Sequence, residues 1–239
     1  MIAVDQILRL PLLPLLVAQG MAVRRRAMIL PEPDGLREGR QGRGRLLRVL
    51  IAGDSSAAGV GVSDQSVGLS GQLAAHLSPH FDLIWRLEAT TGHQTRDTLA
   101  RLAALPKQHF DVVVLALGVN DVTHGTSRRA FFDQQSELIH LLSTRFAPGL
   151  ILACGVPQMQ LFPALPQPLA WVLGRQSARL DGILAGLDQD HDHVAHIPFQ
   201  LPQDPDLAAE DGYHPSARAY ALWAGVLAEK IRDRYHSSR

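Results

Sequence analysis

Five short apolar runs, each separated from the next by a stretch of helical spacing, set the narrowest limit on what this chain can fold into. The clearest is DVVVLALG at 111–118, an unbroken apolar run that begins with β-branched residues and ends on glycine. LLRVLIA (46–52), FDLIWRLEA (81–89), GLILACG (149–155) and HVAHIPF (193–199) accompany it. Between and after them the spacing predicts helices over 69–77, 95–105, 169–187 and from Ser216 to 235, and a long one from a Ser127 cap to 146. Strands this apolar do not suit a sheet wetted on one face. They suit parallel strands buried on both faces, so the expected architecture is three-layer α/β/α, a five-stranded parallel sheet with helices on both faces.

In such sheets ligands bind outside the carboxyl ends of the strands. The turns to inspect after strands one, two, three and five therefore read GDSS (53–56), TTGHQT (90–95), GVND (118–121) and DGYHP (211–215). The first could be a phosphate cradle or the support of a nucleophile. A phosphate loop needs GxxxxGK[ST], but Gly53 and Gly59 are one residue too far apart and Val60 stands where lysine belongs. The dinucleotide fingerprint also fails, because Asp64 occupies its last glycine position, and Asp54 in the mouth of the turn would repel phosphate.

The nucleophile reading finds partners. A serine hydroxyl needs a base to take its proton and a third group to orient that base. Asp211 and His214 supply both in one turn, since a spacing of three lets the aspartate accept from imidazole Nδ1–H and leaves Nε2 to face a serine. An oxyanion needs preorganised donors: the Gly92 N–H, the Asn120 side-chain amide and the Ser55 N–H lie on the right turns. Either Ser55 or Ser56 could be the attacking residue on spacing alone.

Taken together and in this order, GDS at 53–55, the lone glycine of TTGHQT, GVND at 118–121 and DGYHP at 211–215 resemble the SGNH/GDSL hydrolase superfamily. The resemblance spans residues 53–215, and only the leucine after GDS is missing, replaced by Ser56. It implies a flavodoxin-like fold and hydrolysis of an ester, thioester or acetyl group with no metal or cofactor. The residue after Gly-Asp then makes Ser55 the nucleophile, with His214 as base, Asp211 as orienting acid, and Ser55, Gly92 and Asn120 as the oxyanion hole. The expected function is an acyl-ester hydrolase for short to medium acyl chains or lipid-like esters. A carbohydrate O-deacetylase is the alternative within enzymes, and a non-catalytic, membrane-tethered ligand-binding module the alternative outside them.

Other residues have plainer readings. Asp54 is expected to accept nearby loop N–H groups, Ser56 to bond locally, and Asp121 to support its loop. Cys154, the single cysteine, reads as buried filler. His93 and His124 read as solvated loop residues beside the site. Asp188, Asp190 and Asp192 alternate like a calcium loop but lack its glycine and glutamate, and His191, His193 and His196 read as an exposed loop entering the last strand.

Composition bounds the rest. The chain is 46% hydrophobic and carries no net charge, so it can bury a core and has no general attraction for nucleic acid. Charge is uneven, however: residues 1–48 hold nine arginines against four acids. Residues 7–18, ILRLPLLPLLVA, are apolar but interrupted by Arg9, Pro11 and Pro14, too short for a membrane span. With no basic leader they do not read as a secretion signal, and a cytoplasmic protein is expected. Followed by Arg24–Arg26, residues 7–26 suit peripheral contact with an anionic membrane, or packing over an apolar groove of their own domain or a partner. Residues 31–45 read as a linker, dividing an arm (1–45) from a hydrolase domain (46–239).

Overall fold

The structure is a computed structural model that describes residues 4–200, 202 and 204–236. The first three residues of the arm and the last three of the chain lie outside the described residues.

Five of the strands are those the sequence marks: β2 (Leu46–Gly53), β3 (Asp82–Ala89), β4 (Val112–Ala116), β5 (Leu150–Cys154) and β6 (Val194–Ile197). All five run parallel. A further strand, β1 (Glu38–Gln41), pairs antiparallel with β3, so the sheet has six strands in the order β1-β3-β2-β4-β5-β6. The expected linker at 31–45 is therefore corrected. Its middle is an edge strand, held by the backbone ladder and by Arg40, whose guanidinium grips Asp82 through two hydrogen bonds at 2.9 and 2.5 Å. An edge strand needs no apolar face, and EGRQ offers none.

Alternation along the strands sends side chains into two cores. Leu47, Val49, Ile51, Val112, Val114 and Leu152 face one side, under α3 (Leu69–Leu77) and α8 (Ala217–His236). Leu50, Ala52, Val113, Leu115 and Ile151 face the other, against Leu102 of α4 (Thr95–Ala104) and Leu138 and Leu142 of α6 (Arg128–Arg145). The α6 cap is Ser127, whose hydroxyl accepts from the Ala130 N–H at 3.1 Å. The three layers follow from strands that are apolar on both faces.

Two short helices, α2 (Ser55–Ala58) and α5 (Val119–Thr123), start directly beyond β2 and β4. The chain winds outward from β2 to β3, then returns to β4 on the other side, so the crevice at β2 is where strand order reverses. Register sharpens the point: Gly53 pairs with Ala89 on one side and with Ala116 on the other. The turns after β2, β3 and β4 thus leave the sheet at one level.

The arm begins as one helix, α1 (Val4–Arg26), which continues through both Pro11 and Pro14. Its later turns dock on α7 (Leu169–Asp190): Gln19 donates to the Gln167 carbonyl at 2.7 Å and accepts from the Leu169 N–H at 3.1 Å. That second bond satisfies one of the free N–H groups at the start of α7. Among the described residues, no helix is long and apolar enough to cross a membrane.

Candidate active site

Asp54 ends the β2 turn by capping α2, its Oδ1 accepting from both the Ser56 N–H (2.9 Å) and the Ser56 hydroxyl (2.8 Å). Ser56 is thereby spent on the cap. Ser55, the first residue of α2, turns its hydroxyl the other way, and its N–H belongs to the first turn, which has no intrahelical acceptor. Burial pushes the Asp54 carboxyl up to about 6, against the lowering effect of the Ser56 bonds.

The Asp211–Pro215 turn meets Ser55 from the far end of the chain. His214 Nε2 lies 2.9 Å from Ser55 Oγ, and His214 Nδ1 lies 2.5 Å from Asp211 Oδ2. Asp211 Oδ1 accepts the backbone N–H groups of Tyr213 (2.9 Å) and His214 (3.0 Å), so the carboxylate is fixed at both oxygens. Burial raises its pKa, but the imidazole and the two backbone donors outweigh that and hold the carboxyl below its usual range. The pair is shielded, with the imidazole 17% exposed and the carboxylate 4%. Tyr213 packs edge-on against both Phe162 and His214, at 5.0 and 5.4 Å between ring centroids, which stiffens the turn.

Gly92 and Asn120 lie on the turns that flank this relay. Gly92 has φ +84°, a left-handed conformation that glycine adopts without strain, and among the described residues no group accepts from its N–H. Asn120 Nδ2 donates to the His93 carbonyl at 3.0 Å, which ties the two turns together and leaves its second amide hydrogen. Below it, Asp121 is fully buried and binds Thr95 N–H and Oγ1–H at 3.1 and 2.9 Å. It supports the loop, as expected. Burial pushes its carboxyl up, with the Thr95 and Thr126 bonds opposing.

Comparison with known proteins gives this arrangement a setting. Residues 51–222 match the model of the GDSL-like lipase/acylhydrolase family. The chain belongs to that family. It is 26% identical over 200 residues to a GDSL-like esterase of Mycobacterium tuberculosis, covering 78% of this chain and 62% of the relative's length. It is 24% identical over 188 residues to an arylesterase of Vibrio mimicus, covering 77% and 88% of the two chains. Among solved structures, the psychrotrophic esterase EstA from Pseudoalteromonas shares the fold at TM-score 0.61 and 21% identity, over 79% of this chain and 98% of that one.

Within the GDSL-like fold a cavity of about 350 Å³ opens beside Ser55 and His214. Leu161, Phe162 and Pro163, from the loop after β5, form one wall. Sequence reasoning missed the rest: Leu117, Phe199, Leu207 and Trp223 come from four separate segments that no local pattern links. Cys154 at its floor is buried, and burial pushes its thiol up to about 12, so it stays a protonated filler. His124 is exposed, with Nδ1 2.8 Å from the Asn120 carbonyl, and His93 Nδ1 lies 3.5 Å from Thr98 Oγ1. The histidines near β6 correct an expectation. His196 is not on an exposed loop but is 9% exposed, its Nε2 2.8 Å from an Asp181 oxygen that also accepts the Val156 N–H. His193 instead pairs with Ser143 Oγ at 3.0 Å.

Proposed function

We propose that this chain hydrolyses carboxylic esters through an acyl-enzyme formed on Ser55. The observation that carries the reading is the unbroken line from Ser55 Oγ through His214 to Asp211 at the mouth of an apolar cavity. His214 Nε2 takes the hydroxyl proton as Oγ attacks the ester carbonyl, and Asp211 holds the imidazole in the tautomer with Nδ1 protonated. The Ser55 and Gly92 N–H groups and the Asn120 amide receive the oxyanion. His214 then protonates the leaving alcohol, and water repeats the sequence on the acyl-serine. The chemistry needs no metal or cofactor.

The cavity supports short to medium acyl chains more than sugar acetates, because most of its lining is apolar. Each methylene buried there is worth about 0.8 kcal/mol, roughly a fourfold gain in kcat/KM per carbon until the cavity is full. Release of p-nitrophenol from acetate and butyrate esters by wild type and Ser55→Ala tests the proposal. Loss of turnover in the variant is expected, and equal slow cleavage by both would overturn it. A preference for sugar acetates over p-nitrophenyl butyrate would move the assignment to the O-deacetylase.

We further propose that residues 7–26 rest on an anionic membrane surface, which suits lipid-like esters and a protein held at the membrane's cytoplasmic face. Leu10, Leu13 and Val17 are at least half exposed, Arg24–Arg26 close the helix, and α1 docks beside the Pro168 end of the loop that walls the cavity. Flotation with phosphatidylglycerol vesicles, but not with phosphatidylcholine, is expected. Unchanged flotation after Leu13→Glu with Arg24, Arg25 and Arg26 each changed to Glu would end that idea.

A further inference from the structure

Glu32 carries the arm to the turn that follows β3. Glu32, in the PEP segment between α1 and β1, accepts twice from Thr91, at 2.7 Å from the N–H and at 2.8 Å from the hydroxyl. Its other oxygen accepts from Arg37 at 2.9 Å, and Arg37 also donates to the carbonyl of Ala89, the last residue of β3. Partial burial raises the Glu32 carboxyl, but the bonds from Thr91 and Arg37 outweigh it and keep the group ionised at neutral pH. Glu32 and Arg37 therefore staple residues 89–91 from outside the sheet.

Thr91 immediately precedes Gly92. The peptide between them is planar, so whatever fixes Thr91 helps to fix the direction of the Gly92 N–H. Glycine is the residue least able to fix that direction by itself, and at φ +84° a Cβ added to Gly92 would meet nothing within 4 Å. The turn around it is closed by the His93 N–H, which donates to the Thr90 carbonyl at 3.2 Å. Side chains brace that turn from both neighbours, and on the far side Asn120 holds the His93 carbonyl. Glu32 is the matching anchor on the near side.

We propose that Glu32 is a positioning residue that aims the Gly92 N–H at the developing oxyanion through Thr91. This role rests on the acyl transfer proposed for Ser55. Glu32 lies outside residues 51–222, so the segment matched to the family does not supply it. The arm, divided by sequence from the hydrolase domain, thereby becomes part of its machinery.

The test compares full-length wild type, Glu32→Ala, Glu32→Gln, Thr91→Val and the double variant Glu32→Ala with Thr91→Val. It measures kcat and KM on p-nitrophenyl butyrate, thermal midpoint, and affinity for an alkyl boronic acid that mimics the tetrahedral adduct. Losing an oxyanion donor outright costs about 100- to 1,000-fold in kcat, so misdirecting one is expected to cost Glu32→Ala about tenfold. KM should stay within about twofold, since ground-state binding does not use the oxyanion hole. Boronate affinity should fall in step with kcat. Glu32→Gln, which keeps an acceptor for Thr91, should lie between, and Thr91→Val should add little on top of Glu32→Ala. A purely structural role would instead lower the thermal midpoint and shift kcat and KM together. That result overturns the inference, as does a kcat within twofold of wild type in folded Glu32→Ala. If Glu32→Ala does not fold, unchanged kcat in both Glu32→Gln and Thr91→Val overturns it instead. Loss of the acyl-transfer reading shows separately, as activity retained in Ser55→Ala.

Discussion

Replacing Asp211 with asparagine leaves the side chain's shape intact, yet its environment dictates a large loss of activity. One carboxylate oxygen already accepts two backbone N–H groups, from Tyr213 and His214, at 2.9 and 3.0 Å. Only a carbonyl oxygen can take that place, so the asparagine oxygen must sit there. The amide nitrogen then occupies the position 2.5 Å from His214 Nδ1. A donor facing a donor is not tolerated, so the imidazole must move its proton to Nε2. That proton points at Ser55 Oγ, 2.9 Å away, where the base should present a lone pair. Inverting the tautomer of a serine hydrolase costs about 10,000-fold, or about 5 to 6 kcal/mol of barrier. The loss should appear in kcat on p-nitrophenyl butyrate near neutral pH, with KM nearly unchanged. The thermal midpoint should barely move, because both backbone bonds survive. A loss smaller than about tenfold in folded protein would refute the assignment of Asp211 as orienting acid.

Asn120→Ala should lower kcat by about 100- to 1,000-fold with KM little altered, measured on the same ester, and an unchanged kcat would remove Asn120 from the oxyanion hole. Asp54 offers a test on stability. A carboxyl raised to about 6 on folding holds its proton more tightly in the folded state, so its stabilisation is present at low pH and lost as pH rises from about 4 through 6. Asp54→Asn keeps an acceptor for Ser56 and removes that dependence. Urea unfolding at pH 4 and pH 7 should therefore show wild type losing on the order of 3 kcal/mol more than the variant as pH rises, and parallel curves would contradict the assignment.

What sequence could reveal was set by how local each cause is. Val112–Val114 announces a buried parallel strand because both faces of a central strand must be apolar. Asp211 and His214 are legible because their bond closes within one turn, and Ser55 because a strand end and a cap frame it. β1 gave no such signal: its four residues alternate no apolar face, and Arg40 finds Asp82 only through the folded sheet. α1 runs through two prolines that argue against a continuous helix, and its anchors on the loop before α7 are about 150 residues away in sequence. The Glu32–Thr91 staple joins residues 59 apart, and a glutamate between two prolines carries no mark of its destination.

The strand at 38–41 has a consequence for how copies of this protein behave at high concentration. Along its outer border β3 would otherwise present unpaired backbone groups beside Leu83 and Trp85, the sort of ledge onto which another chain's strand adds. β1 covers that ledge over Leu83–Arg86 and offers in its place four residues bearing Glu38 and Arg40. A version trimmed to begin at Leu46 would keep every residue of the Ser–His–Asp relay yet expose a sticky border, and it should precipitate at concentrations where the full chain stays clear.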